Sequence, residues 1–182
     1  PTRHRVRKGR LKTGAPLPVG HTNNPKRNII VWMDHRAIDQ ANRINATGHR
    51  VLNYVGGRIS PEMETPKLLW LKENNPEVYV AAWQFMDLTD FLTWRATGDL
   101  SRSVCTVTCK WTFLAHENTW DASYFEQVGL GDLIADDFSK IGTRVVPAGT
   151  ALGAGLTVEA ANDLGLVAGT PVAAGLIDAH AG

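Results

Sequence analysis

Three places in this sequence carry side chains whose types and spacing could do chemistry. The first is Asp178-Ala179-His180, which follows an apolar run over residues 171 to 177. That run is long enough for one buried strand, and it would deliver Asp178 to the strand's C-terminal end. Gly175, Ala179, Ala181 and Gly182 surround it with small residues, leaving room for a substrate to come close. A carboxylate held by a strand yet open to a cleft can take a proton from a hydroxyl group. The plainer reading of the same Asp is a cap on the next helix. His180 reads as a structural partner rather than as an acid or a ligand.

The second place is Asp34-His35-Arg36, at the end of the apolar run over residues 28 to 33, with Trp32 and Met33 just before it. Against a role in binding, Trp32 reads equally well as core, and Asp34 with Arg36 as a local ion pair of small energetic weight. The third is Lys110, an ammonium beside the Trp111 ring, which could also be an ordinary solvated lysine. Glu62 and Glu64 look catalytic in isolation, but acids at a helix start complement the helix dipole. Cys105 and Cys109 stand four apart with no second pair to complete a zinc site, so they read as reduced packing residues.

The elements that must position these groups can be read from periodicity and punctuation. Residues 28 to 33 read as a strand, and residues 37 to 46 as a helix stopped by Gly48. A helical turn over residues 49 to 55 ends at Gly56-Gly57. Ser60-Pro61 and Thr65-Pro66 are cap-then-proline starts, and the second opens a mostly apolar helix over residues 67 to 74. Another helix over 76 to 82 leads to an extended segment, 83 to 87, after which Asp87 or Thr89 caps a helix that Gly98 ends. Residues 101 to 108 alternate and are rich in Val, Thr and Ser. Asp121 starts a helix with Tyr124, Phe125 and Val128, and a shorter one covers 132 to 138. Residues 141 to 155 read as a linker, and Thr157 caps a helix that Gly165 ends.

Size and charge narrow the classes. A chain of 182 residues with 43% apolar content can bury one good core. No run of about 18 apolar residues exists to span a membrane, and no apolar signal core opens the chain, which points to the cytoplasm. Residues 1 to 27 hold 8 of the 19 basic residues and no acid, leaving 11 bases against 18 acids in the rest. The first 14 residues read as a basic, disordered arm, followed by a connector to residue 27. With no stacking aromatic in the arm and no reading motif behind it, the sequence argues against nucleic acid as a partner.

Four ordered stretches carry a resemblance that spacing alone would not supply. They are Asn28-Ile-Ile-Val-Trp-Met-Asp-His-Arg-Ala37, residues 54 to 72, residues 105 to 111, and Gly175-Leu-Ile-Asp-Ala-His-Ala-Gly182. Through them residues 28 to 182 resemble the N-terminal domain of FGGY carbohydrate kinases, on the pentulose kinase branch that acts on D-ribulose. The resemblance implies an α/β fold of the actin-like, ribonuclease-H type, with the sugar in a cleft between two domains. It implies that Asp178 is the general base toward the sugar's terminal hydroxyl, with ATP as phosphoryl donor and Mg²⁺ bridging its phosphates. It further implies that Trp32, Met33, Asp34 and His35 line the sugar pocket and that Lys110 contacts the sugar.

The same resemblance sets expectations about what is missing. The family opens with a phosphate-loop strand pair and continues past the catalytic Asp into an adenosine domain, and neither is recognisable here. The expectation is a partial domain that is inactive alone. Its uncovered sheet edges would favour a homo-oligomer or aggregate. A non-catalytic sugar- or partner-binding remnant is the alternative class.

Overall fold

The computed structural model describes residues 14 to 20 and 24 to 181. The basic arm therefore lies outside the described residues, apart from Gly14. The described connector residues are tied to the body: Arg36 Nη1 donates to the Val19 carbonyl at 2.8 Å, and Val19 packs against the core.

Helices dominate. In chain order they are α1 (Ile38–Ala46), a 3-10 turn (Arg50–Val55), α2 (Glu64–Asn74), α3 (Pro76–Ala81), α4 (Leu88–Thr97), α5 (Val104–Trp111), α6 (Ala122–Gln127), α7 (Asp132–Ala135), α8 (Val158–Leu164) and α9 (Asp178–Ala181). Two two-residue strands, β1 (Arg102–Ser103) and β2 (Val145–Val146), pair in parallel.

The middle of the core is α2, in which every residue from Thr65 to Leu71 is buried. It contacts α1, α3 and α5, which enclose this middle stretch, while Glu73 and Asn74 in its last turn face water. Pro66 sits in its first turn, where the missing N–H has no intrahelical partner to lose, so the helix starts at Glu64, ahead of the expected position. Trp111, Trp120, Tyr124, Phe125 and Leu133 complete the same cluster. The caps fall where the sequence places them. Asp87, Asp121 and Thr157 each accept a backbone N–H in the first turn of the helix that follows. Gly98 and Gly165 close α4 and α8 at φ of 76° and 67°, in the left-handed region that favours glycine.

Two expected strands are not strands. Residues 28 to 33 pair with no other extended segment among the described residues. The Val31 carbonyl accepts instead from Asp34 N and from Lys67 Nζ, both at 3.1 Å. Ile29, Val31, Trp32 and Met33 stay exposed as a result. Residues 171 to 177 are extended and cross-bonded to the loop before α8, through Leu152 N to Val172 O and Ala174 N to Thr150 O, each 2.8 Å. Only one isolated antiparallel bridge, Ala151 to Ala173, comes of this, because the loop side is broken by turns.

Residues 104 to 108 are helical despite their Val and Thr content. Ser103 Oγ accepts from Cys105 N as an N-cap, and the buried Asp90 carboxylate takes Ser103 N at 2.9 Å and Thr106 Oγ1 at 2.6 Å. Local capping chemistry thus overrides β propensity, which is a weak and context-dependent preference.

Asp90 is 1% exposed, and burial pushes its carboxyl up against the pull of Thr106, Ser103 and Arg102. The equally buried Arg102 donates to Leu100 O and Gln84 Oε1, each at 2.6 Å, and burial lowers it to about 10. Removing one partner of such a set leaves buried donors unsatisfied, at about 1–3 kcal/mol each. Asp90→Ala is therefore expected to lower unfolding free energy by about 3 kcal/mol, read as a drop in denaturant midpoint. A loss below about 1 kcal/mol would show that this network does not hold α4 to α5.

Candidate functional site

The last described segment is positioned by close backbone approach. Ser103 Oγ donates to the Gly175 carbonyl at 2.6 Å. A Cβ on Gly175 would lie 2.4 Å from Thr89 Cγ2 of α4, so any larger residue would have to displace that side chain or the segment. Three residues later Asp178 opens α9. Its Oδ1 accepts from Ala179 N at 2.9 Å, the side chain is exposed, and it makes no ion pair among the described residues. Helix start and open carboxylate are thus both features of this residue.

His180 turns back onto α5. Its Nδ1 is 3.2 Å from Cys105 Sγ and 4.0 Å from Cys109 Sγ, and the cysteines are free and half-buried. The thiols read as packing residues are therefore joined to the histidine that follows Asp178. Spacing along the chain gave no sign of this, because His180 is distant in sequence from both.

One turn of α5 further, Lys110 is half-buried beside the buried Trp111, whose carbonyl accepts from Thr65 Oγ1 of α2 at 3.5 Å. Glu64, at the start of α2, lies among charges from three elements. Burial pushes its carboxyl up to about 7, Lys67 and Lys110 pull it down, and Asp87 pushes it up. Glu62, the other acid near that start, bonds His35 instead, Nε2 to Oε1 at 2.9 Å. Read from sequence as a dipole-complementing acid, Glu64 is also a carboxyl poised near neutrality next to Lys110. The usable signal was Lys67 three residues on, one helical turn away, at 4.0 Å.

Lys67 links this cluster to the 32–35 loop. It is 2% exposed, and its Nζ donates to the Val31 and Trp32 carbonyls at 3.1 and 3.5 Å. Beyond that hinge, Trp32 and Met33 are 57% and 68% exposed, so Trp32 is not core. Asp34 is engaged as expected: Arg36 Nη2 reaches its Oδ2 at 2.5 Å and Arg36 N its Oδ1 at 3.0 Å, which holds the carboxyl below its usual range. The Arg36 guanidinium also stacks 4.7 Å over the Trp70 ring. A cavity of about 540 Å³ opens between α4 and α8, lined by Leu92, Ala96, Leu156 and Leu164, and none of Trp32, Met33, Asp34, His35, Lys110 or Asp178 borders it.

The model of the FGGY family of carbohydrate kinases, N-terminal domain, matches residues 15–182. The chain belongs to the FGGY carbohydrate kinases. It is 57% identical over 168 residues to a human FGGY carbohydrate kinase domain-containing protein, covering 92% of this chain and 30% of that protein. A D-ribulokinase from Saccharomyces cerevisiae is 40% identical over 171 residues, covering 88% of this chain and 24% of that protein. The crystal structure of gluconate kinase from Lactobacillus acidophilus superposes with a TM-score of 0.68 at 19% identity, over 88% of this chain and 31% of that one.

The chain thus spans less than a third of the length of these relatives, and its fold is that of the actin-like N-terminal domain of FGGY sugar kinases. The family is one of ATP-dependent phosphotransferases. Among the described residues no helix is long and apolar enough to cross a membrane.

Glu64 gives the site a pH signature. Its ordinary value is 4.5 and its folded value about 7, so between these pH values the folded chain holds a proton that the unfolded chain has released. Stability attributable to this group is therefore present below pH 4.5 and lost as pH rises toward 7. Glu64→Gln cannot ionise, and the fall in urea midpoint between about pH 4.5 and about pH 7.5 is expected to be smaller in the variant. Equal falls in both proteins would remove Glu64 from the cluster.

Proposed function

We propose that this chain supplies the sugar-binding wall and the general base of a pentulose kinase that phosphorylates D-ribulose, or a close relative of it, on the terminal hydroxyl. One observation carries the reading: Asp178 opens α9 with its carboxylate exposed and free of ion pairing among the described residues, on a segment tethered to the helix that bears Lys110. A base needs a free lone pair and a fixed seat, and this residue has both. Identity to a D-ribulokinase over most of this chain supports the substrate class.

In this mechanism the sugar hydroxyl oxygen attacks the γ-phosphorus of ATP, its proton passes to an Asp178 carboxylate oxygen, and the bond to the bridging oxygen breaks to release ADP. Lys110 donates to a sugar hydroxyl, rejecting analogues that lack it. Trp32 and Met33 offer apolar surface to the sugar's carbon face, with Asp34 and His35 at the polar edge. Arg36 and Glu62 hold those two side chains in place.

Magnesium bridges phosphates in phosphoryl transfer and is commonly held by one or two carboxylates together with the phosphates themselves, so its ligands depend on where the nucleotide sits. No residue of this chain is therefore assigned to that ion. Since the nucleotide and its metal must be positioned as well as the sugar, the 182-residue chain incubated with ribulose, ATP and magnesium is expected to give no ribulose phosphate above a blank.

In a full-length kinase containing this segment, Asp178→Asn is expected to lower kcat on the order of 10²- to 10⁴-fold with sugar binding largely kept. Lys110→Ala is expected to raise the KM for ribulose more than that for ATP. Near-normal kcat in Asp178→Asn removes the base. Sugar binding with no transfer by the intact wild-type protein would favour a non-catalytic sugar-binding role.

A further inference from the structure

Cys105 and Cys109 lie four apart on α5, so their sulfurs project from one helical face, and His180 on α9 presents Nδ1 to both. Among the described residues this is a group of three metal-ligating side chains whose donor atoms all lie within 4.8 Å of one another. A tetrahedral zinc ion with bonds of about 2.3 Å to sulfur and about 2.0 Å to nitrogen holds its donors about 3.5–3.8 Å apart. The two sulfur–nitrogen distances, 3.2 and 4.0 Å, straddle that edge length. His180 is exposed, so its ring is free to turn toward the longer of the two.

We propose that Cys105, Cys109 and His180 form a binding site for a soft divalent cation of the zinc class, fastening α9 to α5. Two thiols and one imidazole are a donor set such ions favour over magnesium or calcium. Each thiol gives its proton to solvent as its sulfur–metal bond forms, so two thiolates neutralise a dication and the site carries no net charge. His180 binds through Nδ1, leaving Nε2 toward water, and the fourth tetrahedral position stays open to a water molecule.

The site also has a consequence for its neighbours. His180 is two residues past Asp178 and Cys109 one before Lys110, so the bound ion locks together the two elements that bear these groups. None of the described residues of α9 is buried, and His180 ties the helix to α5.

The test uses the reduced 182-residue chain and needs no sugar or nucleotide, so its outcome is separate from that of the kinase reading. Titration with Co²⁺ is expected to give a thiolate-to-cobalt charge-transfer band and the intense visible bands of a tetrahedral ion, saturating at one equivalent. Zn²⁺ should abolish them. Competition against a chromophoric chelator should show Cys105→Ser, Cys109→Ser and His180→Gln each weakening Zn²⁺ binding by at least about 10-fold, the lower end of what even an outer-shell loss costs. His116→Gln, an exposed histidine beside Tyr54, should bind as the wild type does. Circular dichroism of each variant without metal checks that the fold is kept. Absence of the charge-transfer band in the wild type overturns the site. So does unchanged affinity in a folded His180→Gln, or equal weakening by His116→Gln.

Discussion

A buried carboxylate with no counter-ion in contact sets the geometry of this domain. Asp90 has two hydrogen-bond donors, Ser103 N and Thr106 Oγ1, both in the first turn of α5. At 1% exposed, a carboxyl is tolerable only while those donors stay in place. The helix N-terminus supplies the partial positive charge that makes the arrangement favourable, and Arg102 adds its field. Because the penalty for loss is larger than the gain from any single bond, α5 has one well-defined origin relative to α4. Everything on α5, including Cys105, Cys109 and Lys110, takes its place from that origin.

On the opposite side of the site the same logic uses a cation. Lys67 comes from the packed α2, and its buried Nζ is surrounded by the Val31 and Trp32 carbonyls and Glu64. Its charge thereby does two things at once. It terminates the 28–33 segment, giving carbonyls without a strand partner a donor, and it moderates the protonation of Glu64 beside Lys110. The backbone that carries the exposed Trp32 and Met33 is therefore held by a helix rather than by a sheet.

Much of this was legible in the sequence, and the reasons differ by element. Caps and stops were read correctly at Asp87, Gly98, Asp121, Thr157 and Gly165, because they depend on chemistry within four residues. Burial of α2 was legible because residues 68 to 71 are apolar on every face. Strands at 28 to 33 and 171 to 177 were misread since apolar runs specify burial but not a pairing partner. The helix after Ser103 was not read from the sequence because the group that fixes its start, Asp90, lies on another helix. The Cys105, Cys109 and His180 cluster was invisible for the same reason: two of its donors are a helical pair, and the third arrives from 71 residues away.

The placement of Asp178 follows from these constraints taken in series. A proton acceptor must be held within a fraction of an ångström of its donor to be useful, and the proposed one, Asp178, opens α9, whose described residues are exposed. Its fixity comes from either side of it in the chain. Three residues before, Gly175 is hydrogen-bonded to Ser103 and wedged against Thr89; two residues after, His180 meets Cys105. Ser103 and Cys105 belong to the same turn of the same helix start, the one that Asp90 fixes. The carboxylate is thus referenced twice to α5, whose last turn carries Lys110. Asp178 and Lys110, the two groups proposed to act on the sugar, thus share a single frame, and a disturbance at Asp90 reaches both together.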